Sequence, residues 1–143
     1  MYKRQNLFIG SGLFNYSRAV KENVRVGLGT DVGGGDSFSL LRACNETYKV
    51  QQLQNTSVSP ASLLYLGTLG GAKALDLDEH IGNFSIGKEA DMVVLDENAT
   101  PLLSRKAQNN STWEERLFTL LMLGDDRAVF DTLILGESVK QNR

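Results

Sequence analysis

The stretch VRVGLGTDVGGGDSF, residues 24–38, sets one carboxylate, Asp31, between a glycine-spaced apolar run and three consecutive glycines. Such an aspartate has three uses. It can cap a turn, flank a backbone cradle for phosphate, or stand at the end of a strand as a metal ligand and proton acceptor. In this stretch Val24, Val26 and Leu28 alternate with Arg25, Gly27 and Gly29, so Asp31 shares a face with two glycines. Glycine inside a strand is kept where a backbone or a ligand comes close, and these glycines are expected to clear space beneath the carboxylate. Gly33-Gly34-Gly35 matches neither the dinucleotide fingerprint nor the phosphate-loop pattern, and Asp36 would repel an anion there.

Three other features invite chemistry. GNFSIGK, residues 82–88, fits G-x-x-x-x-G-K, but Glu89 stands where a magnesium-binding Ser or Thr is required, so two turns ahead of a strand are expected. His80 is the only histidine, and the chain has no H-x-H, H-E-x-x-H or C-x-x-C, so His80 reads as a solvated linker residue. The lack of H-x-E and P-C-x-x-C excludes the cysteine-ligated zinc deaminase fold. Cys44, the single cysteine, lies in an apolar helical run and reads as core.

The elements that must position Asp31 follow α/β grammar. Residues 15–22 form a weakly periodic helix with Asn23 as its breaker, and the strand of residues 24–31 follows at once. A helix over 37–53 has Asp36 or Ser37 as N-cap, with Leu40, Leu41, Cys44 and Tyr48 at helical spacing. Ser59-Pro60 starts another helix, expected to stop at Gly70-Gly71, with a short helix over 72–75 after it. A domain boundary is placed near residues 76–80. Beyond it come a β-rich run at 92–95, an amphipathic helix over 112–123 ended by Gly124, and a hairpin of 129–135 and 138–140 turning at Gly136-Glu137.

Whole-chain properties narrow the function. The 143 residues suit one domain and fall far short of the ~250 of a complete α/β barrel, so a barrel reading must be partial. A net charge of −2 with scattered Lys and Arg gives no electrostatic footprint for nucleic acid or an anionic membrane, and points to a small neutral or a protein partner. No apolar run is long enough to span a bilayer and the N-terminal residues given form no apolar signal segment, so a cytoplasmic location is expected. The first five residues, MYKRQ, are expected to be non-native and adaptor-derived. A GTG start followed by TAT AAG AGA CAG encodes them, and that string resembles a sequencing-transposon end, which puts the native start near Asn6.

Several segments carry a family resemblance: NLFIGSGLF (6–14), VGLGTDVGGGDSFSLLRACNETYKV (26–50), SPASLLYLGTLGGAKAL (59–75), IGNFSIGKEADMVVLDENATPLL (81–103) and LFTLLMLGDDRAVFDTLILGESV (117–139). Together they make the chain similar to the C-terminal portion of the guanine deaminase family, within the amidohydrolase superfamily. The GK-ADMVVLD segment and late hairpin are common to many amidohydrolases. The combination of GLGTDVGGG-SFS, TLGGAKAL and LGDDRAV resembles guanine deaminases in particular.

The resemblance implies an α/β fold: the last strand and helices of a distorted (β/α)8 barrel over residues 6–78, and part of a small β-sandwich with one helix over 79–143. It implies zinc held by an H-x-H pair, two further histidines and an aspartate ending the eighth strand, of which only that aspartate has a counterpart here, Asp31. Asp31 is thereby implied as both metal ligand and catalytic proton acceptor, in hydrolysis of guanine to xanthine and ammonia. Family members are often homodimers. The remaining ligands, the general acid/base and the purine-reading residues would lie upstream, where H-x-H is expected in the coding sequence. Two other readings stay open: an amidohydrolase acting on another aminated heterocycle, and a non-catalytic module that binds a partner through its sheet edge. Purified alone, the chain is expected to release no ammonia from guanine and to aggregate or stay loosely packed, because a barrel strand with open edges exposes faces meant for neighbours. Zinc-dependent ammonia release from the purified chain would overturn this.

Overall fold

The chain enters its sheet through a strand pair that brackets one helix. The computed structural model describes residues 2–3 and 9–140; the expected native start at Asn6 and the first residues of the NLFIGSGLF match lie outside them, as does much of MYKRQ. β1 (Tyr2–Lys3) runs parallel to β2 (Leu28–Gly29), with Tyr2 opposite Leu28 and Lys3 opposite Gly29. Between them lies α1 (Tyr16–Lys21). Asn15 caps it by accepting from the Arg18 N–H at 2.9 Å, and Asn23 ends it with a left-handed φ of 54°. This matches the expected helix and breaker.

β2 is much shorter than the expected strand of residues 24–31. A ladder exists only beside β1, and the residues ahead of it are used otherwise. The Val24 N–H closes α1 on the Ala19 carbonyl, and Arg25 pairs with Asp76 while donating to the Lys73 carbonyl at 2.8 Å. A Cβ on Gly27 would lie 2.7 Å from the Cα of Gly71. Here strand and helix backbones touch, and only glycine permits it.

α2 (Leu40–Gln52) starts later than Asp36 or Ser37 would place it, with Ser39 as N-cap. Ser37 instead accepts from the Ser39 N–H at 3.1 Å and holds the chain out of the helix. α3 (Pro60–Gly67) begins at the expected Ser59-Pro60 signal. The expected stop at Gly70-Gly71 is corrected: the break falls at Thr68, and both glycines lie inside α4 (Leu69–Ala74). Their role is clearance. A Cβ on Gly70 would strike the Tyr65 ring at 2.7 Å, and Gly71 is the residue that meets Gly27.

The remaining chain adds β3 (Met92–Leu95), α5 (Pro101–Ala107), α6 (Trp113–Leu123), a 3-10 turn (Asp126–Ala128), β4 (Val129–Ile134) and β5 (Glu137–Ser138). β3, β4 and β5 form one antiparallel sheet in that order. α5 went unforeseen although Thr100-Pro101 repeats the Ser59-Pro60 signal, so this part holds two helices rather than one. α6 has the expected bounds, with a capping box between Thr112 and Glu115 and Gly124 at its end. The hairpin turns at Leu135-Gly136, one residue early, because both adopt the left-handed φ values (52° and 82°) that a two-residue turn needs.

The main core joins α2 and α3 to α6. Cys44 of α2, Val58, the fully buried Leu63 of α3 and Leu121 of α6 pack as one cluster, with Leu28, Leu41 and Tyr48 against it. Tyr48 meets Phe118 edge to face at 5.1 Å. Burial pushes the Cys44 thiol up to about 12, so it stays protonated at neutral pH and serves as core, as expected. Gln51, fully buried, accepts from the Tyr16 N–H at 3.2 Å and donates to the Phe14 carbonyl at 2.9 Å, latching the entry to α1 onto α2. Arg116 of α6 grips Glu97, which is held below the usual carboxylate range by that hydrogen bond. Within the complete protein, replacing Leu63 with Ala is expected to lower stability by about 2–5 kcal/mol. A reduced urea midpoint checks it, and an unchanged one would show that the cluster is not the core.

Candidate functional site

β2 carries the chain to Asp31 two residues after its last paired residue. Asp31 is half-buried and left-handed, with φ of 46°, a conformation that Asp tolerates better than most residues. Its carbonyl accepts from the Gly35 N–H at 2.8 Å and the Gly34 N–H at 3.1 Å. The turn and the strand-end position are therefore not alternatives. The backbone of Asp31 makes a turn, and that turn fixes where its carboxylate leaves the strand.

The glycines act differently from the expectation. Gly27 does not open space beneath the carboxylate, because Gly71 fills it. Gly35 is required by the turn, since a Cβ there would sit 2.6 Å from the Thr30 carbonyl oxygen. The loop is no phosphate cradle. The Gly34 and Gly35 N–H groups are spent on Asp31, and the Gly33 N–H reaches the Gly35 carbonyl at 3.4 Å.

GNFSIGK forms turns, as expected, with Gly82 and Gly87 at positive φ. The Lys88 ammonium donates to the carbonyls of Asp78 and of Ile81, the latter at 3.2 Å, so it ties its own loop together. His80 is exposed, and its carbonyl accepts from the Glu89 N–H at 2.9 Å. A zinc site needs three or four protein ligands. Among the described residues no three His, Cys, Asp or Glu side chains converge, so this donor set does not by itself fit zinc. No helix of the described residues is long and apolar enough to cross a membrane.

Supporting residues escaped sequence reasoning. Asn45 on α2 donates to the Met122 carbonyl at 2.6 Å, which ties the helix that follows the Asp31 loop to the end of α6. Gln51 is the second such residue. Both sit at helical positions whose polarity marks only a place near the core, and nothing in their spacing names a partner 35 or 77 residues away. Two cavities, of about 390 and 320 Å³, lie beside Asn45 and beside Tyr16 and Tyr65, and neither is lined by Asp31.

A family described as the amidohydrolase family matches residues 1–139. The chain is 48% identical over 134 residues to the guanine deaminase of Escherichia coli (strain K12), covering 94% of this chain and 30% of that protein. The solved structure of E. coli guanine deaminase superimposes with a TM-score of 0.94 at 47% identity, over 97% of this chain and 33% of that one. The structure of guanine deaminase from Bradyrhizobium japonicum does so with a TM-score of 0.87 at 36% identity, over 97% of this chain and 36% of that one. The chain thus spans about a third of the length of these relatives, and its mixed α/β arrangement matches that portion of their barrel fold.

Replacing Gly35 with Ala is expected to spread the turn at Asp31, because the carbonyl of Thr30 cannot yield without moving β2. Hydrogen exchange at the amides of residues 34 and 35 reads it. Undiminished protection there would show that the turn does not depend on glycine.

Proposed function

The chain belongs to the amidohydrolase family, and from that premise we propose that it forms the closing part of a guanine deaminase, with Asp31 as its catalytic residue. The reaction is hydrolysis: water adds to the purine carbon that bears the exocyclic amine, the carbon–nitrogen bond breaks, and guanine and water become xanthine and ammonia. Asp31 accepts a proton from the attacking water. It is also the one ligand this chain offers to a zinc ion, which when bound lowers the pKa of water. The other ligands come from residues beyond this set, in keeping with a span of about a third of the relatives.

The observation that carries the reading is the position of Asp31. The half-buried Asp31 follows the end of β2, held by a turn that tolerates no Cβ at Gly35. In barrels, groups at the C-terminal ends of strands perform the chemistry. Residues 6–78 belong in this reading to the barrel and 79–143 to the β-sandwich portion. The complete enzyme acts in purine breakdown in the cytoplasm as a homodimer, a location in keeping with a lone, buried, protonated thiol.

The test joins this whole chain, in frame, to the upstream two thirds of the E. coli guanine deaminase it resembles. The joined enzyme is expected to bind zinc and to release ammonia from guanine faster than from other aminated heterocycles. Asp31→Asn is expected to lower kcat by about 10²–10⁴-fold. Full activity in that variant would remove Asp31 from the chemistry, and preference for another heterocycle would replace guanine as the substrate.

A further inference from the structure

The loop that leaves β2 carries a feature that the proton transfer does not use. Phe38 is 84% exposed, seven residues beyond Asp31 and just ahead of α2. Its neighbours on both sides are held. Ser37 accepts from the Ser39 N–H at 3.1 Å, and Ser39 accepts from the Arg42 N–H at 3.4 Å as the cap of α2. Leu40, at the first turn of that helix, packs onto Gly67 of α3, where a Cβ would lie 3.2 Å from it. Val32, which follows Asp31 directly, is 41% exposed and bridges to Gly35 across the glycine turn. The loop that opens at Asp31 thus presents two apolar side chains to solvent, and in barrels it is the loops after the strands that build the active-site face. One of them is a large flat ring on a segment pinned at both ends.

Leaving a phenylalanine in water forfeits the stabilisation that its burial would bring. Its backbone is held by two hydrogen bonds, one of them the cap of α2, so covering the ring with a ligand costs mainly the freedom of its own two side-chain torsions. Phe84, 82% exposed, sits in the turns ahead of β3, two residues after Gly82, which abuts α4.

We propose that Phe38 is a substrate-binding residue, whose ring stacks on the flat face of the purine while Asp31 serves the reacting carbon. The proposal rests on the guanine deaminase reading and adds to it a residue that selects for an aromatic, bicyclic substrate. Stacking of a base on an aromatic side chain has a magnitude that corresponds to about a tenfold or greater loss of affinity on truncation.

The experiment uses the joined enzyme. Phe38→Ala is expected to raise KM for guanine about tenfold while zinc content and kcat stay near those of the parent, and Phe38→Tyr is expected to restore KM. Phe84→Ala serves as the control and should leave KM unchanged. An active enzyme in which Phe38→Ala leaves KM unchanged defeats this proposal alone. Loss of zinc or of folding in Phe38→Ala, without rescue by Phe38→Tyr, assigns the ring a structural role and also defeats it. An inactive joined enzyme defeats the guanine deaminase reading, and this proposal falls with it.

Discussion

The backbone contact between Gly27 and Gly71 is the constraint on which the placement of Asp31 depends. Strand and helix approach until a single added Cβ would sit 2.7 Å from the opposing Cα. That approach sets the height of β2 against α4. Asp31 follows four residues after Gly27 along a short segment that includes β2, so a shift at the contact carries toward the carboxylate. The general-base role proposed for Asp31 would work over hydrogen-bond distances of about 3 Å, and displacements of about one ångström would weaken it.

Around that contact the rest of the structure acts as a brace. Leu63, Cys44, Val58 and Leu121 exclude water between α2, α3 and α6, and their burial fixes α2 behind the Asp31 loop. Polar ties set the register that apolar packing leaves free. Gln51 secures the entry to α1, Asn45 secures the end of α6, and each would leave a buried polar group unsatisfied if its partner moved. The same brace leaves many apolar side chains exposed on the sheet of β3, β4 and β5, among them Val93, Phe130 and Ile134. Such a surface suits a chain whose relatives are about three times its length.

Local signals were legible where a side chain and its own backbone settle the matter. Ser59 caps the helix that Ser59-Pro60 announces, and Met92–Leu95 and Trp113–Leu123 fall where their patterns put them. The misreadings share one cause. Gly70-Gly71 reads as a stop and lies inside a helix, because a helix interior accepts glycine when close packing repays the lost propensity. The run from Val24 reads as a strand and pairs only at Leu28–Gly29, because a ladder requires a neighbour that alternation cannot announce.

By itself the sequence determined the α/β grammar, the core role of Cys44, the poverty of metal ligands and the singular position of Asp31. These depend on residue type and on spacing over a few residues, which one chain records directly. Only the tertiary structure decided what the glycines are for. Gly27 makes room for Gly71, 44 positions along the chain, rather than for a ligand, and Gly35 closes a turn that aims the carboxylate. Contacts between distant segments follow from the whole packing arrangement, and a glycine, having no side chain, carries no local sign of what comes close to it.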